Sequence, residues 1–290
     1  MEVAISVLIF GAGFIGARLA AALPGAILCT ADIADPEAVG RALDAHAPEA
    51  VINAAAATGR PNVDALEARP FQTWRSNAAG PLVLAEQCRR RGRWLLHLGS
   101  GCIFSGPSPD PGGWREEDAA NPISLYARTK YAADLVLSEL DGVCVLRLRM
   151  PVDGAPGPRN LITKLTGYAA VVDVENSVTV LDDLIEVVRQ LLTLRPSGAL
   201  HATNPGVLRH RHLIARYQAL VDPGFTCEFI TPDALLSRGL VARPRSNAIL
   251  STGRLDALGV VMRPVEEALD DALRQYAAAL SGAGLRGTAP

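Results

Sequence analysis

The apolar positions of this chain fall into short unbroken runs that are separated by longer stretches of helical periodicity. The runs rich in apolar and β-branched residues are Val3 to Phe10, Ala26 to Cys29, Ala50 to Asn53, Trp94 to Leu98 and Val143 to Leu148. The stretches with apolar residues at helical spacing are Phe14 to Leu23, Pro36 to His46, Phe71 to Arg91 and Ser124 to Leu140. Strands that alternate with helices in this way predict an α/β fold with a parallel sheet and right-handed crossovers.

The pattern changes after Met150, where prolines and glycines crowd a loop before a short predicted helix at Leu161 to Tyr168. We therefore expect one large domain over residues 1–150 and the start of a smaller substrate lobe over 151–175. Residues 176–200 are expected to return to the large domain, and residues 201–280 to complete the lobe. Residues 281–290 are expected to form a frayed tail.

A glycine-rich turn, Gly11-Ala-Gly-Phe-Ile-Gly16, lies between the first predicted strand and the first predicted helix. Glycines there let the backbone approach a pyrophosphate, and the free N–H groups at the start of the helix attract its charge. A turn that merely tolerates glycine is the alternative, but the position on the first strand favours a dinucleotide site. The order of elements therefore predicts a Rossmann-type doubly wound sheet, with cofactor contacts from Gly11, Gly13, Phe14, Ile15 and Gly16.

Three further residues are expected at the cofactor site. Ala54 and Ala55 follow the third predicted strand, and Asp32 lies where an acidic residue binds the ribose hydroxyls of NAD. Residues 28–35 contain no arginine or lysine to bind the 2′-phosphate of NADPH. The cofactor is therefore expected to be NADPH or NADH, with the preference open.

Tyr126 and Lys130 lie one turn apart on a predicted helix, and Ser100 closely follows a predicted strand. A carbonyl that receives hydride develops negative charge on its oxygen, so a positioned acid must supply a proton. Tyr126 is the candidate acid, because a lysine ammonium one turn away lowers the pKa of a tyrosine from about 10. Lys130 should also reach the nicotinamide ribose, and Ser100 should hydrogen-bond the carbonyl. Each residue alone could be an ordinary surface or turn residue, but jointly they favour a nicotinamide-dependent oxidoreductase.

The composition of the chain limits the classes of partner that it is expected to bind. The chain has 290 residues, of which 49% are apolar and 20% charged, and its net charge is −2. It has no basic block interleaved with aromatics and no apolar run of membrane-spanning length, so we expect a small-molecule substrate rather than nucleic acid or a membrane. Five cysteines without CxxC or His/Cys spacing indicate reduced thiols in a cytoplasm and no metal site.

Several longer stretches resemble one known family. With the glycine turn, Ser100 and Tyr126-x-x-x-Lys130, the chain resembles the extended short-chain dehydrogenases/reductases. Within them it is similar to the nucleotide-rhamnose synthase/epimerase-reductase group, which includes dTDP-4-dehydrorhamnose reductase-like proteins. The stretches that carry this resemblance are Thr58-Gly-Arg-Pro-Asn-Val-Asp64, Gly101-Cys-Ile-Phe104, Glu116-Glu-Asp118, Arg147-Leu-Arg-Met-Pro151, Pro158-Arg-Asn160, Thr203-Asn-Pro-Gly206 and Ala242-Arg-Pro-Arg-Ser-Asn247.

The resemblance implies a bifunctional 3,5-epimerase/4-reductase. Its substrate would be a UDP- or dTDP-linked 4-keto-6-deoxyglucose, its cofactor NADPH or NADH, and its assembly a homodimer. The resemblance places the proton transfers of epimerisation on Cys102 and Lys164. In an extended segment Cys102 would point to the same side as Ser100. Without the resemblance, Cys102 would be an ordinary small apolar residue and Lys164 a solvated helix lysine.

The remaining site residues are expected around the substrate and the cofactor. Asn77 is expected to support the active site beside the cofactor, with a helix kink or cap as the alternative. Arg243, and after it Arg245, have the fork geometry that suits a diphosphate, although surface arginines are usually only solvated. Residues expected to face the sugar are Thr58, Arg60, Asn62 and Asn160.

Two other functions remain open on the sequence. One is a 4-ketoreductase that acts on an already epimerised nucleotide sugar. The other is a non-catalytic dinucleotide-binding or regulatory subunit that retains the fold. Cys102 and Lys164 argue against the first, and the intact Tyr126/Lys130 pair argues against the second.

Overall fold

The computed structural model describes residues 5–60 and 62–285. The strands are Val7–Phe10 (β1), Ile27–Cys29 (β2), Ala50–Asn53 (β3), Trp94–Ser100 (β4), Val143–Leu148 (β5), Pro151–Val152 (β6), Ala170–Val172 (β7), Glu175–Asn176 (β8), Thr179–Val180 (β9), Gly198–Ala202 (β10), Leu208–Arg209 (β11) and Glu228–Ile230 (β12). The α-helices are Phe14–Ala22 (α1), Pro36–His46 (α2), Pro70–Trp74 (α3), Gly80–Arg90 (α4), Leu125–Leu137 (α5), Leu161–Thr166 (α6), Leu181–Leu194 (α7), His210–Leu220 (α8), Pro232–Ser237 (α9), Gly253–Ala257 (α10) and Val265–Leu285 (α11).

Six strands form one parallel sheet in the order β10-β5-β4-β3-β1-β2. The chain moves outward from β1 to β2 and then returns to pair β3 on the other side of β1. Such a switch point opens a crevice at the carboxyl ends of the strands, where ligands bind in doubly wound sheets. The predicted α/β fold with a Rossmann-type parallel sheet is therefore confirmed.

Helices cover both faces of this sheet. On one face Ile9 and Leu96 pack in a cluster with Leu19 of α1 and Leu184 of α7. The opposite face carries a second cluster, in which residues of β1, β3, β4 and β5 pack against α2, α4 and α5. The inner strands β1, β3, β4 and β5 are buried on both sides, which explains why they appear in the sequence as unbroken apolar runs, whereas the edge strand β2 is partly exposed.

A separate apolar cluster joins segments that follow β5. Ile162 of α6, Leu213 of α8 and Leu273 of α11 pack together in it. This cluster supports the substrate lobe that we propose over 151–175 and much of 201–280. The lobe is interrupted, however, because residues 253–262, which we expected in it, place Leu255, Val260 and Met262 in the core of the large sheet.

Several element boundaries differ from the prediction. The first strand begins at Val7, and residues 3 and 4 of its predicted range lie outside the described residues. The predicted helix Phe71 to Arg91 consists of α3, a π-helical turn at Arg75–Ala79 and α4. The first half of the predicted frayed tail is wrong, because α11 continues to Leu285, while 286–290 lie outside the described residues. Within the described part of the chain, no helix has the length and apolar character needed to cross a membrane.

Candidate active site

The glycine turn after β1 has the geometry that a pyrophosphate requires. Gly11 has a φ of +102°, and a Cβ on it would lie 2.5 Å from the backbone N of Ala55. A Cβ on Gly16 would lie 2.0 Å from the Gly11 carbonyl oxygen, whereas a Cβ on Gly13 would meet no atom within 4 Å. Gly13 precedes α1 without any side-chain cap, so the first N–H groups of that helix have no side-chain acceptor. These residues fit the phosphates of a dinucleotide.

Asp32 follows β2 near the same edge of the sheet. Its Oδ1 accepts a hydrogen bond from Ala34 N at 2.9 Å, and its Oδ2 lies 2.8 Å from Nη2 of Arg75. Both side chains are exposed. Residues 28–35 contain no cation, and Arg75 of the π-helical turn supplies one beside Asp32. Arg75 is too distant in the sequence for a local pattern to associate it with Asp32.

Ser100 ends β4 and begins a 3₁₀ turn at Gly101–Ile103. Its Oγ accepts a hydrogen bond from the backbone N–H of Cys102 at 3.2 Å, which leaves its own O–H free to donate. The expectation of an extended segment at Cys102 is wrong, because the chain turns here. Cys102 nevertheless lines a large cavity, whereas Ser100 is buried and does not line it.

This cavity has a volume of about 620 Å³ and lies between the sheet edge and the lobe. Its volume is in the range of sites that bind small molecules and cofactors. Polar and ionisable side chains that line it include Asn62, Cys102, Tyr126, Arg159, Lys164 and Arg245. The predicted acid and the two predicted epimerisation residues thus share one cavity.

Tyr126 lies in the first turn of α5, which Ser124 caps by accepting from Ala127 N at 3.2 Å. Burial and, after it, negative charge on Cys102 raise the pKa of Tyr126 to about 12. Proximity to the Ser100 hydroxyl and to Arg159 lowers the pKa of Tyr126 by smaller amounts. The expectation that Lys130 brings this pKa towards neutral is therefore wrong for the ligand-free protein, in which Tyr126 is a protonated phenol.

Lys130 is buried and does not line the cavity. Its Nζ donates to the Leu98 carbonyl oxygen at 2.8 Å and lies 3.0 Å from Nε2 of His97. Burial lowers the pKa of Lys130 to about 8, while Asp134 opposes this shift. Lys130 therefore loses its proton more readily than an exposed lysine does.

Arg149, just after β5, is the main site residue that the sequence analysis missed. It is 1% exposed, and its Nη1 donates to Cys102 Sγ at 3.1 Å and to Ser246 Oγ at 3.1 Å. Its Nη2 donates to Asn176 Oδ1 and to the Ser246 carbonyl oxygen, while its Nε has no hydrogen-bond partner among the described residues. A charged residue directly after a buried strand was the signal that could have revealed it.

Lys164 and Arg159 place positive charge on the lobe side of the cavity. Burial lowers the pKa of Lys164, and the nearby charge of Arg159 lowers it further. Burial also lowers the pKa of Arg159, with a second contribution from Arg60. Arg159 thus lies among Arg60, Lys164 and Tyr126, where an anionic ligand would be stabilised.

Asn160 does not face the sugar site as expected. It is fully buried and caps α6, with its Oδ1 accepting from Ile162 N at 3.1 Å. Its Nδ2 donates to the carbonyl oxygens of Asp153 and Ala155 at 2.7 and 2.8 Å. The neighbouring Arg159 lines the cavity instead, and an asparagine directly before a helix is a cap signal that the sequence carried.

Asn77 is also fully buried, in the π-helical turn. Its Oδ1 accepts from Ala57 N at 2.7 Å, and its Nδ2 donates to Ala57 O at 2.9 Å and to Thr129 Oγ1 at 3.2 Å. It therefore ties the loop after β3 to α5 and supports the site from behind. Asn62 lines the cavity as expected, whereas Thr58 and Arg60 do not line it.

The two candidate diphosphate arginines differ in placement. Arg243, our first choice, is exposed, lies 3.7 Å from a Glu67 carboxylate oxygen and does not line the cavity. Arg245 lines the cavity, but both of its terminal nitrogens donate to the Asp64 carboxylate at 2.7 and 2.8 Å. The five cysteines are all free thiols.

Fold and site together define the class as a Rossmann-type α/β protein with an acid-base cluster at the carboxyl edge of its sheet. A family model described as the RmlD substrate binding domain matches residues 5–278. The chain therefore belongs to this family.

Individual relatives agree with this assignment. The chain is 36% identical over 241 residues to the bifunctional dTDP-4-dehydrorhamnose 3,5-epimerase/dTDP-4-dehydrorhamnose reductase of Arabidopsis thaliana, covering 81% of this chain and 79% of the relative. The crystal structure of the L780 UDP-rhamnose synthase from Acanthamoeba polyphaga mimivirus superposes with a TM-score of 0.87 at 28% identity, covering 93% and 99% of the two chains. A dTDP-4-dehydrorhamnose reductase from Bacillus anthracis, in complex with NADP, shares the fold at 20% identity, with a TM-score of 0.80 over 93% and 98% of the chains.

Proposed function

We propose that this protein is a bifunctional 3,5-epimerase/4-reductase that converts a UDP- or dTDP-linked 4-keto-6-deoxyglucose to the L-rhamnose nucleotide. The observation that carries this proposal is that Cys102, Tyr126 and Lys164 line one cavity of about 620 Å³. The relationship to the Arabidopsis enzyme supports both activities. We further expect a homodimer in the cytoplasm.

The reduction would use NADPH or NADH, which supplies the hydride when bound. Gly11, Gly13 and Gly16 would hold its phosphates, because a side chain is excluded at Gly11 and Gly16 and the space beside Gly13 is open. Ala54 and Ala55 pack against this turn, while Phe14 and Ile15 begin α1. Asp32 and Arg75 would lie at the adenosine ribose.

Epimerisation requires proton exchange at the two carbons that flank the 4-ketone. Removing a proton from carbon 3 or carbon 5 places negative charge on the ketone oxygen, where the Tyr126 and Ser100 hydroxyls would stabilise it. Inversion then needs one group that takes the proton from one face and another that returns it on the opposite face. Cys102 and Lys164 are the two groups that would do so, and the lowered pKa of Lys164 makes its proton easier to remove than that of an exposed lysine.

Reduction would then occur in the same cavity. As hydride reaches carbon 4, Tyr126 would give its phenolic proton to the oxygen. The pKa of about 12 keeps Tyr126 protonated at neutral pH, so the proton is present before the reaction begins. One electrophilic site can therefore serve both steps.

The charge on the lobe side suits the diphosphate of the substrate. The charge of Arg60 lowers the pKa of Arg159, and the charge of Arg159 lowers the pKa of Lys164, so anion binding would relieve repulsion among these residues. Arg245 would contribute less, because its charge is already paired with Asp64.

The test combines two readouts. Purified protein is mixed with UDP- or dTDP-4-keto-6-deoxyglucose in D₂O with each reduced cofactor, and absorbance at about 340 nm is followed because reduced nicotinamide absorbs there. We expect loss of absorbance and deuterium at carbons 3 and 5 of the product. Cys102→Ser should stop deuterium incorporation while retaining reduction of an already epimerised 4-ketosugar. Cys227→Ser, a thiol that does not line the cavity, is the matched control.

The outcomes separate the alternatives. Reduction with unchanged deuterium exchange in Cys102→Ser would remove Cys102 from the mechanism. Reduction of the epimerised sugar alone by the unaltered protein would identify a simple 4-ketoreductase. Cofactor binding without turnover of any of these sugars would indicate the regulatory subunit.

A further inference from the structure

A chain of three buried polar side chains runs behind the cavity from β3 to α5. Asn53 Nδ2 lies 2.9 Å from His97 Nδ1, and His97 Nε2 lies 3.0 Å from Lys130 Nζ. Asn53, His97 and Lys130 are 0%, 1% and 3% exposed. The register that pairs Asn53 with His97 across β3 and β4 brings the first two together.

The orientation of the Asn53 amide sets the direction of each hydrogen bond in the series Asn53–His97–Lys130. The Oδ1 of Asn53 accepts from the backbone N–H of Ala55 at 3.1 Å, so the amide nitrogen must face His97. An amide N–H that points at Nδ1 requires a lone pair on that nitrogen. A neutral imidazole then carries its proton on Nε2, facing Lys130.

Lys130 can accept that Nε2–H only as a free amine. A neutral amine has two N–H groups and one lone pair, which allows it to donate to the Leu98 carbonyl at 2.8 Å and to accept from His97. An ammonium has no lone pair, so its N–H and the Nε2–H of His97 would be opposed. Only a neutral Lys130 amine forms a correctly directed hydrogen bond with both the His97 Nε2–H and the Leu98 carbonyl oxygen.

The charged groups around Lys130 do not offset this preference. Asp134, one turn further along α5, has both carboxylate oxygens bonded to Arg147 at 2.7 and 2.9 Å. Tyr126, one turn earlier, is a protonated phenol with a pKa of about 12. Burial is the largest cause that lowers the pKa of His97 well below its ordinary value, so the ring is neutral.

We infer that Asn53 fixes the tautomer of His97, and that this Nε2–H tautomer favours the neutral amine of Lys130 over its ammonium in the ligand-free protein. Asn53 and His97 are thus positioning residues that act through Lys130. Protonation of Lys130 must be accompanied by transfer of the imidazole proton to Nδ1, against the Asn53 amide. The relevance to turnover rests on the function proposed above, whereas the tautomer is a property of the protein without ligands.

The sequence makes the test unusually direct, because Lys130 and Lys164 are its two lysines and it has five histidines. Protein labelled with ¹³C at lysine Cε and ¹⁵N in the histidine rings would be titrated by NMR without substrate or cofactor. Lys164→Met assigns the lysine signals, and His97→Gln assigns the histidine signals. We expect the His97 proton on Nε2 and a Lys130 midpoint near the pKa of about 8.

Asn53→Asp reverses the first hydrogen bond with little change of shape. A carboxylate would accept from Nδ1–H and still accept from Ala55 N, so the Nε2 lone pair would face Lys130 and favour the ammonium. We expect the proton to move to Nδ1 and the Lys130 midpoint to rise by about one unit or more. Asn53→Ala removes the amide without adding charge and should give both tautomers with an intermediate midpoint.

Two results would overturn the inference. One is a His97 proton on Nδ1 in the unaltered protein, a measurement that needs no folded variant. The other is a raised midpoint in Asn53→Asp with an unchanged tautomer, which would show that the added charge alone acts on Lys130. Because these signals are read without ligands, failure of the protein to reduce a ketosugar would leave the inference standing.

Discussion

The Nη1 atom of Arg149 lies 3.1 Å from the Sγ atom of Cys102. The Arg149 side chain that makes this contact is almost completely buried. The other hydrogen bonds of Arg149 go to neutral oxygens of Ser246 and Asn176. Of these partner groups, only the sulfur can become an anion. A buried cation is costly without a nearby negative charge, so the guanidinium is placed to stabilise negative charge that develops on the sulfur during the proposed proton transfer.

Arg149→Met should therefore impair epimerisation more than reduction. Methionine fills much of the same volume but cannot donate to Sγ. A hydrogen bond to a charged group is worth about 1.5–3 kcal/mol, so deuterium incorporation at carbons 3 and 5 should fall roughly 10-fold to 100-fold. Cofactor affinity and reduction of an already epimerised 4-ketosugar serve as controls in the same variant. Equal losses in both reactions would instead indicate general damage to the cavity.

Arg159→Gln should weaken substrate binding, because Arg159 lines the cavity beside Arg60 and Lys164. Loss of charged hydrogen bonds to a diphosphate predicts a KM for the nucleotide sugar that is roughly 10-fold to 100-fold higher. Arg243→Gln is the matched control, since Arg243 is exposed outside the cavity lining. An Arg243→Gln effect as large as that of Arg159→Gln would show that Arg243 binds the diphosphate, as the sequence analysis expected.

The parts of the site that the sequence predicts well are those set by local position. Ser100 and the glycine turn follow strands, and the carboxyl ends of parallel strands meet at one edge of the sheet. Tyr126 needs only the start of the next helix. The elements themselves were predictable for the same reason, because strands buried on both faces produce unbroken apolar runs.

The remaining features depend on contacts between distant segments. The pairing of Asn53 with His97 is set by strand register, and the contact of Asp32 with Arg75 by the path of the π-helical turn. The raised pKa of Tyr126 comes from burial that no local pattern encodes. The choice between Arg159 and Asn160 was accessible, but required giving the helix-cap preference more weight than the family pattern.

Gly13→Ala should separate cofactor binding from stability. Gly13 has a φ of −78°, which alanine adopts without strain, and a Cβ there meets no protein atom. We expect little change in the free energy of unfolding but weaker binding of the reduced cofactor, measured by fluorescence titration, because the methyl group enters the space for the phosphates. Gly11→Ala is the contrasting variant, since its Cβ would lie 2.5 Å from Ala55 N at a φ of +102°. Gly11→Ala should lower the free energy of unfolding as well as the affinity for the cofactor. A Gly13→Ala variant with a lowered free energy of unfolding would contradict the open space that the structure shows beside Gly13.

Asp134→Ala should destabilise the protein by removing half of a buried ion pair that joins α5 to β5. The Asp134 carboxylate accepts from Nη2 and Nε of Arg147 at 2.7 and 2.9 Å, and both residues are almost fully buried. Leaving the guanidinium unpaired should lower the free energy of unfolding by about 3–5 kcal/mol, as measured by urea denaturation. Glu86→Ala breaks an exposed ion pair with Arg90 on α4 and should cost only about 0.3–0.5 kcal/mol.

Because α5 carries Tyr126 and Lys130 and the chain beyond β5 carries Arg149, the Asp134–Arg147 pair holds the two sides of the site together. A loss in Asp134→Ala no larger than that in Glu86→Ala would show that the sheet keeps α5 in place without it.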